Sequence, residues 1–202
     1  MLRQQDSGEP ASTFRRVLIR VAEANLASLQ GEPRAAQLAA ELRLEVSDGR
    51  VAPQFHGHLA ALVTAVTASV SMAAGELVQA RRDVEIAYRE GITTDDLPIV
   101  ATVGQTVAML AERTGHPRIA AEILGACTRL RGASDLADPR GKALVSRLQA
   151  ALGPEYQAAY DRGTRLDRQA AIDRLDPAGL DATVDDPLPD AEMPGVAGEL
   201  RP

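Results

Sequence analysis

At 202 residues without tryptophan, the chain has room for one aliphatic-cored domain and a tail, and its single cysteine, Cys127, excludes an internal disulfide and suits a reducing cytoplasm. The formal charge of −6 collects near the C-terminal end: the seven acids and one base from Asp176 onward, taken from 28 acids and 22 bases, leave 21 of each. A neutral folded part excludes a grip on a phosphate backbone, and no apolar run reaches the length of a membrane span or a signal segment.

Residues 1–12 read as a flexible N-terminus. A first helix starts near Ser12 or Thr13, either of which can cap it, and runs to about Leu29. Phe14, Val17, Leu18, Val21, Ala24 and Ala27 recur there at helical spacing. A second helix follows Gly31, carries Pro33 in its first turn, where a missing N–H costs nothing, and ends near Val46 before Ser47-Asp48-Gly49. The third spans about His58 to Ala74 and breaks at Gly75. The fourth covers about Leu77 to Glu90. Thr93 or Thr94 caps a fifth that reaches about Arg113, and Pro117 opens a sixth that ends near Arg131. After a loop, helices are expected over about Gly141–Leu152, Pro154–Gly163 and Leu166–Leu175. Beyond that, residues 176–202 combine acids with Pro177, Pro187, Pro189, Pro194 and Pro202, which reads as a disordered acidic tail. The expected fold class is all-α, with residues 13–175 as the packed domain.

The helices are joined by a repeated phrase. Gly31, Gly75 and Gly115 stand 44 and 40 residues apart. Each has an alanine seven residues before it (Ala24, Ala68, Ala108) and another five residues after it (Ala36, Ala80, Ala120). A glycine leaves a helix through positive φ at little cost, and alanines on both sides let the two helices of a hairpin close up. Each hairpin leaves an apolar face that the next must cover, so the expected architecture is an α-solenoid of about three hairpins with a C-terminal helical cap.

This pattern resembles the tetratricopeptide repeat. On that reading the next large position falls on Ala40, Val84 and Leu124, and the last small one on Arg43, Ala87 and Cys127. The aromatic and proline positions are unfilled, and the period exceeds the roughly thirty-four residues usual for the family. Stacked hairpins are expected rather than a regular superhelix. From Gly115 onward the resemblance narrows to the helical ending of LuxR-type ATP-binding regulators and of relatives of the antibiotic regulatory protein (SARP) family in bacteria. It rests on Ala120, Ala121, Leu124, Gly125, Ala126 and Leu130, then on Ala151, Leu152, Gly153, Tyr156, Tyr160, Gly163, Ala170, Ala171 and Leu175. The chain holds no phosphate-binding loop and no basic recognition helix. The resemblance therefore implies the sensor or interaction part of such a regulator. Lys142, the only lysine among 22 basic residues, fits the codon bias of a GC-rich bacterial genome.

Candidate chemistry is sparse. His56 and His58 are spaced for one face of a strand, not of a helix, and no cysteine pair or neighbouring acid completes a zinc set. Cys127 occupies a packing position. Asp95 and Asp96 suit the first turn of a helix, where negative charge meets the positive end of the dipole. Arg15–Arg16 and Arg81–Arg82 suit solvated faces. No catalytic residue, metal or cofactor is expected.

The resemblance implies that the first helices of successive hairpins line a concave groove. The groove-facing residues would be Asn25, Ser28, Ser69, Met72, Gln105, Met109 and Glu112, a mildly polar surface with adaptable methionines suited to a peptide or partner helix, or else filled by the chain's own C-terminal helices. The expected function is a cytoplasmic, non-catalytic interaction or sensor module linked to bacterial transcriptional regulation. Its partner would be a protein or peptide, a regulator domain or a second copy of the chain, with neither nucleic acid nor membrane bound directly. The alternative is a small-molecule sensor that holds its ligand between the repeats and the C-terminal cap.

Overall fold

The computed structural model describes residues 8–47, 53–133 and 138–180, with side chains described from Phe14 in the first helix and from His56 in the third. Among the described residues the chain is all-helical. It forms α1 (Gly8–Leu29), α2 (Arg34–Ser47), α3 (Pro53–Ala73), α4 (Leu77–Thr93), α5 (Leu97–Arg113), α6 (Pro117–Arg131), α7 (Pro139–Leu152), α8 (Glu155–Thr164), α9 (Arg168–Arg174) and a closing 3-10 turn over Pro177–Leu180. No helix among the described residues is long and apolar enough to cross a membrane.

The three glycines end their helices in the same way. Gly31, Gly75 and Gly115 have φ of 68°, 80° and 87°. In each case the following N–H reaches a carbonyl five residues back: Glu32 to Ala27, Glu76 to Ser71 and His116 to Ala111. This is a Schellman ending, and it satisfies carbonyls that the helix terminus would otherwise leave orphaned. It turns the chain back on itself, so α1 packs on α2, α3 on α4 and α5 on α6. Successive hairpins then stack: α3 touches both α1 and α2, and α5 touches both α3 and α4.

The alanine pattern holds in the second and third hairpins and shifts by one residue in the first. Ala24, Ala68, Ala108, Ala80 and Ala120 are fully buried, whereas Ala36 and Ala40 are exposed. The buried face of α2 is Ala35, Ala39 and Leu42. Its counterparts in α4 are Ala80, Val84 and Ala87. The turns differ as well. Glu32 and Pro33 separate Gly31 from α2, while a single residue separates Gly75 from α4 and Gly115 from α6. Arg43 therefore does not occupy the last small position. It stands one residue beyond Leu42 and faces Asp83 of α4.

Other boundaries move for local reasons. α1 already begins at Gly8, within the stretch expected to be flexible, and α3 begins at Pro53 rather than near His58. Thr93 and Thr94 end α4, where their hydroxyls bond back to Glu90 O and Gly91 O. The cap of α5 is Asp96, whose side chain accepts from Ile99 N. Asp95 sits between the two helices at a φ of 53°, a left-handed conformation that aspartate tolerates better than most residues. Pro177 and Leu180, assigned by composition to the tail, are buried. The Pro177–Leu180 turn packs on α4, where Arg81 donates to Pro177 O at 3.3 Å. The remaining tail, residues 181–202, lies outside the described residues.

The C-terminal helices pack around α6, which touches α7, α8 and α9 as well as α5. Gly125 and Gly163 make the closest approach. A Cβ built on Gly125 would lie 2.0 Å from Tyr160 O, and one on Gly163 would lie 2.0 Å from Glu122 O. Helix α9 is tied down by Tyr88 Oη donating to Ile172 O at 3.3 Å and by the Arg174–Glu122 pair at 3.0 Å.

The core is unevenly shared. One large apolar cluster runs from α3 through Leu180. The first hairpin instead contributes to two smaller ones, built around Val17, Ala24, Leu42, Leu59 and Val63 and around Ala27, Ala35, Ala39 and Val70. Local opening follows local contact density. Hydrogen-exchange mass spectrometry is therefore expected to show α1 and α2 exchanging well before α5 and α6. Equal protection across the three hairpins would contradict this division of the core.

Candidate interaction groove

The inner faces of α1, α3 and α5 form a groove. Val21 and Asn25 of α1, Leu62, Ala65, Val66 and Ser69 of α3, and Thr102, Gln105, Thr106 and Met109 of α5 line a hollow of about 300 Å³, completed by Asp138 and Arg140 from the start of α7. A smaller hollow of about 130 Å³ continues it, between Ser69, Met72, Ala73, Met109 and Arg113 on one side and Arg140, Ala143 and Arg147 of α7 on the other. Of the residues expected to face a groove, Asn25, Ser69, Met72, Gln105 and Met109 thus meet along these two hollows. Glu112 sits beside them and receives Arg147 Nε at 2.8 Å. Ser28 lines neither; it lies in the last turn of α1, where its carbonyl accepts Gly31 N–H.

Two of the groove's hydroxyls are engaged within their own helices: Ser69 bonds to the carbonyl of Ala65 and Thr102 to that of Pro98, one turn earlier, at 3.0 and 2.9 Å. Such back-bonding hides a hydroxyl within a helix at little cost.

Arg140 crosses the groove. Its guanidinium donates to Asn25 Oδ1 at 2.5 Å and to Asn25 O at 3.3 Å. Burial lowers the Arg140 pKa from its usual range, an effect opposed by the nearby Asp138 carboxylate. Asp138 also caps α7, accepting from Arg140 N and Gly141 N at 3.1 Å each. This capping fixes the start of α7, and with it the arginine that spans to α1. No sequence pattern flags a contact between residues 25 and 140; only the stacking brings them together.

The opposite face of α7 borders a second, larger cavity. Helices α5 to α8 enclose about 560 Å³ lined by Leu124, Cys127, Val145, Tyr156 and Tyr160, with Gln105, Thr128, Arg131, Lys142 and Gln149 among its polar groups. The rings of Tyr156 and Tyr160 stack at 6.0 Å between centroids and 26° between planes. Thr128 Oγ1 and Tyr160 Oη share a hydrogen bond of 2.8 Å. Burial raises the Tyr156 pKa, with a further contribution from Tyr160. Gln105 borders both the groove and this cavity.

The remaining candidates do not assemble into chemistry. Among the described residues no three His, Cys, Asp or Glu side chains gather into a metal-binding set. His58 Nε2 lies 3.6 Å from Asp96 Oδ2 near the surface, and Asp95 pairs with Arg168 at 2.7 Å. Cys127 is buried, and burial pushes its thiol up to about 12 against the opposing pull of Arg131. The thiolate is the reactive form. N-ethylmaleimide at about pH 8 is therefore expected to leave Cys127 essentially unmodified in the native protein and to add once per chain after denaturation, as read by mass spectrometry. Rapid stoichiometric reaction of the native protein would contradict the burial. Comparison of the chain with protein-family models, with curated proteins and with solved structures found no match.

Proposed function

We propose that the chain is a non-catalytic interaction and sensor module. In this reading it is an α-solenoid of three tetratricopeptide-like hairpins with a C-terminal helical cap, of the kind that ends LuxR-type ATP-binding and SARP-related regulators of bacterial transcription. The recurring Schellman turns and the contact between Gly125 and Gly163, two positions of that family pattern, support it.

The observation that carries the reading is the groove across α1, α3 and α5. It is concave and lined by apolar and neutral polar side chains, with Asp138 and Arg140 where α7 begins. Such a surface suits a helix or extended peptide with small apolar anchors. The partner is a domain of a regulator or a second copy of this chain. Arg140 limits access, so a partner has to displace or accommodate its contact with Asn25.

A photo-crosslinking residue placed at Leu62, inside the groove, and at Glu85, exposed on α4, tests this in cells. An adduct of defined mass is expected at Leu62 and absent at Glu85, with a higher yield when Arg140→Ala opens the groove. Adducts at Glu85 alone would refute it. The cavity between α5 and α8 favours a second reading, a small ligand held between the hairpins and the cap.

A further inference from the structure

We propose that the cavity enclosed by α5 to α8 is a binding site for an aromatic carboxylate or a similarly shaped amphipathic anion. The inference deepens the second reading above, and it rests on that reading. At about 560 Å³ the cavity falls within the range that holds small organic ligands.

Its walls select the ligand's two ends. The apolar body of a ligand meets Leu124, Val145 and the stacked pair Tyr156 and Tyr160. Aromatic faces at this spacing accept a flat ring at their edge or against one face. Among the described residues that line the cavity, the charged ones are Arg131 and Lys142, and none is an acid. Arg131 is already positioned by donating to Thr102 Oγ1 at 2.9 Å. Lys142 is exposed and forms no ion pair with another described residue. An anion is thus attracted without having to break an existing bridge at Lys142, whereas a cation meets like charge there. Neutral amides of Gln105 and Gln149 add hydrogen-bonding capacity to either end.

The position of the cavity gives it a role. Helix α7 separates it from the groove: Gly141, Lys142, Val145 and Gln149 face the cavity, while Arg140, Ala143 and Arg147 face the groove. Those two sets lie on opposite sides of a 3.6-residue period. A ligand in the cavity and a partner in the groove would thus touch opposite faces of the same helix.

The test uses the full chain and three probes: anilinonaphthalene sulfonate as a fluorescent aromatic anion, naphthoate as a carboxylate competitor and naphthylmethylamine as its cationic counterpart. Saturable enhancement of the dye's fluorescence at one site per chain is expected, with displacement by naphthoate and not by the amine. Lys142→Glu, an exposed substitution, is expected to weaken dye and naphthoate binding about tenfold or more. Val145→Trp fills the cavity and is expected to abolish it. If both variants bind the dye as the unaltered chain does, the cavity is not the site and the second reading fails with it. If Val145→Trp abolishes binding but the amine competes as well as naphthoate, the cavity stands and the anionic ligand class is overturned. Binding of both anions weaker than about 1 mM overturns the proposal outright.

Discussion

Gly125→Ala is expected to cost the folded chain about 3 kcal/mol or more, at or beyond the upper end of what overpacking a core usually costs. For a chain of this size that lowers Tm by roughly 6–12 °C. The reason is what the new methyl group meets. Its Cβ would sit 2.0 Å from Tyr160 O, 3.0 Å from Gly163 Cα and 3.0 Å from Thr164 N, all backbone atoms of α8. A side chain in the way can change rotamer, but a helix backbone has to move as a unit. Separating α6 from α8 would also strain the 2.8 Å bond between Thr128 and Tyr160. Gly163→Ala meets Glu122 O at 2.0 Å from the other side and is expected to be equally costly. Gly75→Ala provides the contrast. Its added Cβ meets nothing within 4 Å, so the cost is the positive φ alone, about 1 kcal/mol. Urea denaturation of the three variants checks the order. Equal losses at Gly75 and Gly125 would mean that α6 and α8 are not in backbone contact.

The same glycines mark how far the chain could be read before it was folded. Gly31, Gly75 and Gly115 were legible because a turn at positive φ restricts residue type locally, and the rule repeats wherever the hairpin does. Gly125 and Gly163 were legible only as letters in a family pattern; that they touch each other is a fact of packing between α6 and α8. Ala36 is exposed where a fixed count from Gly31 would bury it: the count assumes three identical turns, whereas two residues, Glu32 and Pro33, precede α2 and only one precedes α4 and α6. Asp96 was passed over as a cap in favour of Thr93 and Thr94, since all three side chains can accept an N–H bond and only the length of α4 decides between them. In the groove, Asn25, Ser69, Met72, Gln105 and Met109 follow from the repeat resemblance, which implies that the first helix of each hairpin faces inward. The arginine that crosses it was not foreseeable. Arg140 comes from a helix outside the repeat and reaches Asn25 over a separation of 115 residues. The cavity between α5 and α8 was equally hidden, because its lining comes from four helices, each contributing residues that read as ordinary amphipathic spacing.

Arg43→Met is expected to destabilise the chain by about 3–5 kcal/mol, the range for removing one partner of a buried ion pair. Arg43 stands one residue beyond the buried face of α2, and Asp83 interrupts the apolar face of α4 with a side chain only 2% exposed. The two resolve each other. Arg43 Nε lies 3.0 Å from Asp83 Oδ2, Arg43 Nη2 donates to Ser71 Oγ at 2.8 Å, and Asp83 also accepts from Thr67 Oγ1 and Gln79 Nε2 at 2.9 Å each. The network joins α2, α3 and α4, so it fixes the register of the first hairpin on the second and the position of α1 over the groove. Losing the arginine leaves a carboxylate buried with only two neutral donors. Losing the aspartate is milder, because the Arg43 side chain is 26% exposed and can turn to water. Asp83→Leu is therefore expected to cost about 1–3 kcal/mol, mainly for the hydrogen bonds left unmade. The double variant, with both charges removed, is expected to be more stable than Arg43→Met alone, because no unpaired ion remains in the interior. Chemical denaturation of the four proteins closes the cycle. Additive losses would show that Arg43 and Asp83 are not energetically coupled, and would overturn the ion pair as what fixes the first hairpin on the second.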